Sequence, residues 1–124
     1  APSKGDRQVT NLSIEVVARS NVGVAVMENY DDEREVPLTT ETPYPHTGSG
    51  IVLYDFGPEW APEAYNKPPG DFPIDVHEAP RFNDWHNDQL AHFLKTGEII
   101  DVCGGDGCTP SCEPGQCRVT QTAP

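Results

Sequence analysis

Six side chains of the kinds used in acid–base and metal chemistry stand close together in the sequence: His77, Glu78, Asp84, His86, Asp88 and His92. Asp88 and His92 are four apart, the spacing at which side chains meet on one helical face. A carboxylate so placed orients the imidazole, a support for either a general base or a metal ligand. His86 precedes His92 by six residues, which turns the two directions apart by about 120° on a helix. The pair of helical ligands at i and i+4 that marks a zinc protease is therefore missing. A metal site would have to join His92 and Asp88 to His77 or His46 from elsewhere. One functional expectation follows, a small hydrolase, metal-assisted or not, that uses His92, Asp88 and His77.

A second group supports recognition without chemistry. Glu59 and Glu63 flank Trp60 and lie near Tyr65 in a proline-rich stretch, and Tyr44 and Tyr54 add further rings. Tryptophan and tyrosine give large contact area with a polar handle, as protein interfaces and sugar-binding faces require. Paired carboxylates beside an aromatic platform also suit glycoside hydrolysis, but that reaction demands a controlled separation that a sequence does not show. With 20 acidic residues in the chain, an acid pair beside a tryptophan arises easily by chance. The preferred functional expectation is thus a non-catalytic recognition module. It binds a basic protein surface or a carbohydrate through Trp60, Tyr65, Glu59 and Glu63.

Other chemistries lack their residues. Ser49 sits in Thr47-Gly48-Ser49-Gly50, which is not a nucleophile elbow. Gly104-Gly105-Asp106-Gly107 has neither the lysine nor the strand-to-helix context of a phosphate loop. The acidic run Asp31-Asp32-Glu33-Arg34-Glu35 offers oxygen ligands without the positions of a calcium-binding loop. No cofactor is called for.

All four cysteines, Cys103, Cys108, Cys112 and Cys117, lie in one Gly- and Pro-bearing segment. An even count in a short chain reads first as two disulfides made in an oxidising compartment. Three pairings are possible and the spacing does not choose among them. The alternative is a four-cysteine zinc knot, whose spacing here is at the edge of the usual range. The chain opens Ala1-Pro2-Ser3-Lys4, which would suit a mature secreted product. On that reading Asn11-Leu12-Ser13 is a glycosylation acceptor, with Asn11 on the water side.

A chain of 124 residues fits one domain, with residues 1–8 as a flexible lead-in, 103–117 as a cysteine-rich tail and 118–124 as a frayed end. Twenty acidic against eight basic residues give a net charge of −12. A field of that sign repels nucleic-acid phosphates and anionic membrane surfaces. No apolar run is long enough to cross a bilayer. The oligomeric state is left open.

The elements that would position these groups are short. Thr10, Leu12, Ile14 and Val16 alternate with Asn11, Ser13 and Glu15, and Val22, Val24 and Val26 repeat the period beyond Ala18-Arg19-Ser20-Asn21, which predicts an antiparallel hairpin. Residues 36–40 read as an edge strand and 51–56 as a central one, with 72–76 extended. Phe82, Trp85, Gln89, Leu90, Phe93 and Leu94 recur at three and four over 80–96, a helical face that Gly97 stops. Residues 98–102 read as a last short strand. The expected architecture is α+β: a small antiparallel sheet packed against one helix, with a disulfide-bonded irregular C-terminal tail.

Overall fold

The computed structural model describes residues 2–21, 23–28, 39–57, 65–68 and 75–103. It contains two helices and two small sheets, so the expected single helix over an antiparallel sheet is corrected. Helix α1 spans Asn11–Ser20 and occupies the place of the predicted hairpin. Strand β1 (Ala25–Met27) lies between β2 (Glu41–Thr42) and β4 (Gly50–Ile51), parallel to both. The short β3 (His46–Thr47) pairs antiparallel with β5 (Glu98–Ile99), and helix α2 runs from Asp84 to Thr96.

The hairpin fails for a physical reason. Ile14, Val16 and Val17 favour strands locally, but helix propensity costs β-branched residues only about 0.5 kcal/mol each, which tertiary contacts readily outweigh. Here the deciding contact is Asn11. Its side chain is fully buried, accepts a hydrogen bond from Gly5 N at 3.0 Å and donates one to Ser3 O at 2.8 Å. Asn11, Glu15 and Ala18, spaced for one helical face, all turn inward. The helix stops at Asn21, whose N–H reaches back to Val17 and Ala18 carbonyls and whose amide donates to Val17 O at 2.6 Å.

Residues 2–8, expected as a flexible lead-in, are docked. Tyr54 N donates to Pro2 O at 3.0 Å and Lys4 N donates to Tyr54 O at 2.9 Å, forming a parallel bridge between Ser3 and Tyr54. Lys4 also pairs with Asp55 at 3.2 Å. These bonds satisfy the backbone beyond β4, where the ladder of β1 has ended.

The sheet carries apolar side chains on both faces, as parallel sheets do. Ala18 of α1 packs with Val26, Ile51 and Leu53, and Ile14 and Val24 border them. On the opposite face Met27, Val52, Tyr54, Phe56, Val76, Ala79 and Ile99 form the larger cluster, against which Trp85 and Phe93 of α2 pack. Successive residues of β1 and of 51–54 thus serve opposite helices, the period-2 rule of a strand. The predicted central strand over 51–56 shrinks to Gly50–Ile51 in ladder pairing, but residues 51–54 and Phe56 are buried. Gly50 is needed at the crossing: a Cβ there would lie 2.7 Å from Ile99 Cδ1 and 3.2 Å from Met27 Sδ.

The helix expected over 80–96 divides at Asn83. A 3-10 turn covers Ala79–Phe82, and then Asn83 Oδ1 accepts from His86 N at 3.0 Å to cap α2. Gly97, with φ of 74°, closes the helix in the left-handed conformation. Phe82, Leu90 and Leu94 of the expected buried face are exposed, Leu94 by 75%. The predicted last strand is reduced to β5.

Of the expected disulfide-bonded tail at 103–117, only Cys103 lies among the described residues. Cys103 is the only described cysteine; it is not a free thiol and rests half-buried on the larger core cluster. No disulfide closes between two described residues, and Cys108, Cys112 and Cys117 lie outside them. The acidic run at 31–35, most of the edge strand at 36–40, most of 72–76 and the frayed end at 118–124 lie outside them as well. Among the described residues no helix is long and apolar enough to cross a membrane.

Candidate functional site

The N-cap at Asn83 fixes the phase of α2, so that His86, Gln89, Leu90 and Phe93 fall on one face by their spacing of three, four and seven. That face looks across to Ser49, Gly50 and Val52, with Ile99 beside them, and the gap between is a cleft of about 290 Å³. The absence of a side chain at Gly50 keeps this strand side low. Among the described residues no carboxylate, lysine or arginine lines the cleft. Its polar groups come from Ser49, His86 and Gln89.

Gln89 is committed to the fold. Its Oε1 accepts the Tyr54 hydroxyl at 3.0 Å and its Nε2 donates to Ile100 O at 2.8 Å. A buried glutamine satisfied on both ends clamps α2 to the core and to the chain leaving β5. Tyr54 is 0% exposed, and burial pushes its hydroxyl pKa up, with Tyr44 adding to the effect. Tyr44 is held up chiefly by burial, then by the charges of Asp101 and Glu28.

His86 stands against Tyr54, ring edge to ring face, with centroids 5.5 Å apart and planes at 75°. Burial lowers its pKa, so the imidazole is held neutral over a wider range than an exposed one. Its Nδ1 is buried and makes no hydrogen bond. A neutral imidazole keeps one donor and one acceptor nitrogen. The cleft therefore combines apolar walls with an imidazole whose charged form burial disfavours.

The sequence-predicted hydrolase is not assembled. His92 Nε2 meets Glu98 Oε2 at 3.1 Å, whereas Asp88 is exposed. The tight turn at Gly97 returns β5 to the last turn of α2 and so supplies the nearer carboxylate. His77 Nδ1 instead meets Asp6 Oδ2 at 2.9 Å; Asp6 is nearly buried and its Oδ1 accepts from Gln8 N and Val9 N. Each histidine thus serves a different local junction. No group of three metal-ligating side chains gathers among the described residues. His46 sits on β3 with its Nε2 buried and without a hydrogen bond.

The described residues do not display the expected aromatic and acidic recognition face. Of its members Trp60, Glu59 and Glu63 lie outside the described residues. Tyr65 is exposed, and the Lys67 ammonium lies 5.1 Å from its ring centroid. Tyr54 belongs to the core and Tyr44 borders it, so no aromatic cluster is displayed among the described residues. Asn11 is unsuited to glycosylation, because its amide nitrogen is buried and bonded to Ser3 O.

The residues that sequence reasoning missed left one signal. Gln89 interrupts an otherwise apolar helical stripe, and a polar residue at a core position implies a buried hydrogen bond. Asp6 left none, since its partner His77 is 71 residues away. No family model matches the sequence, and no curated protein or solved structure matches it significantly.

Proposed function

We propose that this domain binds a small, uncharged and largely apolar molecule in the cleft between α2 and β4. The observation that carries the reading is the lining: Val52, Leu90, Phe93 and Ile99 surround an uncharged imidazole, with no ionised side chain among them. Ligand sites have this character, apolar walls with few polar groups to fix orientation, and a volume near 290 Å³ is at the small end of their range of roughly 300–1,000 Å³. The occupant is then about one ring in size and carries at most one hydrogen-bonding group for the polar part of the lining at Ser49 and His86. A net charge of −12 disfavours anions at a distance, and among the described residues the lining offers a cation no carboxylate to pair with.

Calorimetric titration with matched ring compounds tests this reading. Phenol, benzyl alcohol and indole should bind saturably, while benzoate and benzylamine should not. Leu90 is already exposed, so Leu90→Glu should abolish binding without unfolding the domain. Equal binding of the charged and neutral probes, or unchanged binding in Leu90→Glu, would remove the cleft from consideration.

A further inference from the structure

We infer that the cleft between α2 and β4 is an acid-released site: its occupant is held while His86 is neutral and is expelled when His86 takes up a proton. The inference rests on that cleft being a binding site and adds what controls it. His86 enters the lining beside Val52, Leu90, Phe93 and Ile99. Its ring is half-buried and stands at 75° to that of Tyr54, with centroids 5.5 Å apart. The Nδ1 atom is buried and makes no hydrogen bond. A neutral ring can leave that nitrogen bare, whereas an imidazolium carries an N–H on both nitrogens. Protonation therefore puts a donor at Nδ1 that no described residue accepts, in a wall that is otherwise apolar.

The groups around His86 do not offset that cost. Burial disfavours the charged ring most strongly; hydrogen bonds to the Asn87 side chain and the Pro80 backbone favour it, and the amino-terminal charge opposes it. Tyr54 faces the ring from the chain beyond β4 with its hydroxyl committed to Gln89. On α2 the flanking acids Asp84 and Asp88 are exposed, and on the 3-10 turn Arg81 is paired with Glu78 at 2.7 Å. The facing wall of Ser49, Gly50, Val52 and Ile99 carries no titratable group. With the cleft open, solvent reaches the half-buried ring and can hydrate a charge. An apolar occupant takes that solvent away and raises the cost of the imidazolium further. Occupancy and protonation therefore oppose each other. By linkage, the occupant lowers the proton affinity of His86 by the factor by which the proton lowers the affinity for the occupant.

Cyclohexanol and benzyl alcohol test the coupling, because neither ionises in the range used and cyclohexanol has no aromatic face to attract an imidazolium. Calorimetric titration of the full chain should give saturable binding of both at about pH 7.5 and an affinity lower by about fivefold or more at about pH 5, with circular dichroism showing the fold intact at each. In His86→Phe the affinities at the two pH values should agree. That substitution also alters the lining, so the titration of the wild-type His86 ring resonances is the second measurement. Saturating cyclohexanol should move its midpoint to lower pH. Binding that is as tight at the lower pH as at the higher, an acid loss that His86→Phe retains, or a His86 midpoint that cyclohexanol leaves in place would overturn the inference while the cleft stands as a binding site. No saturable binding at the higher pH would overturn both.

Discussion

Tyr54 and Gln89 show how much one buried polar pair controls. Phenylalanine at 54 keeps the ring but leaves Gln89 Oε1 without its donor inside the core. Tyr54→Phe should cost about 1–3 kcal/mol, read as a shift in the urea midpoint without a change in slope. Asn11→Ala strands Gly5 N in the same way and should cost a similar amount, about 1–3 kcal/mol, by the same measurement. Protein made in a glycosylating host should also carry no sugar at Asn11, which intact mass measurement checks. His86 adds a pH dependence. Its folded pKa lies below that of the unfolded chain, about 6.5 for free imidazole, so its contribution is fully present above that pH. As pH falls below about 6.5 the unfolded chain takes up a proton that the folded chain resists, and stability is lost. His77 and His92 are present in both proteins, so the effect of His86 is the difference between wild type and His86→Phe. That difference should favour the variant increasingly from pH 7 to pH 5 in thermal melts.

At the scale of elements, α2 was legible and α1 was not. The stripe of Trp85, Gln89 and Phe93, with a cap at Asn83 and a stop at Gly97, carries its boundaries in local chemistry. The segment 9–17 carries a strand period in its apolar residues and a helical period in its buried polar ones. Only the contact between Asn11 and residues 3–5 decides between them. Strand direction was hidden for a related reason. The residues of β1, β2 and β4 are compatible with either pairing, and the parallel choice depends on crossover connections that no local signal marks. The cleft was half legible: Gln89, Leu90 and Phe93 belong to the expected helical face, but its opposite wall is Ser49, Gly50 and Val52, brought there by β4. A direct check of the α2 assignment is hydrogen exchange. Amides of residues 88–94 should be among the slowest in the chain, and Gln89→Ala, which removes both ends of the clamp, should speed them by at least about tenfold by lowering the opening free energy.

For the whole molecule, a sheet of very short strands is held by a helix on each face, and the two helices have diverged in use. Helix α2 packs Trp85 and Phe93 against the larger core cluster while its His86, Gln89, Leu90 and Phe93 face an uncharged cleft. Helix α1 packs Ala18 and Ile14 against the sheet, buries Asn11 against residues 3–5 and turns its valines outward. Among the described residues no acid lines the cleft, and the only acid in α1 is buried. The most direct test of the cleft as a binding site is a ¹H–¹⁵N correlation titration of the folded chain with indole. The account predicts saturable shifts confined to residues 49–52, 86–93 and 99, accompanied by a change in the His86 ring-nitrogen resonances. Shifts that grow linearly without saturation, or that map to residues remote from α2 and β4, would contradict it.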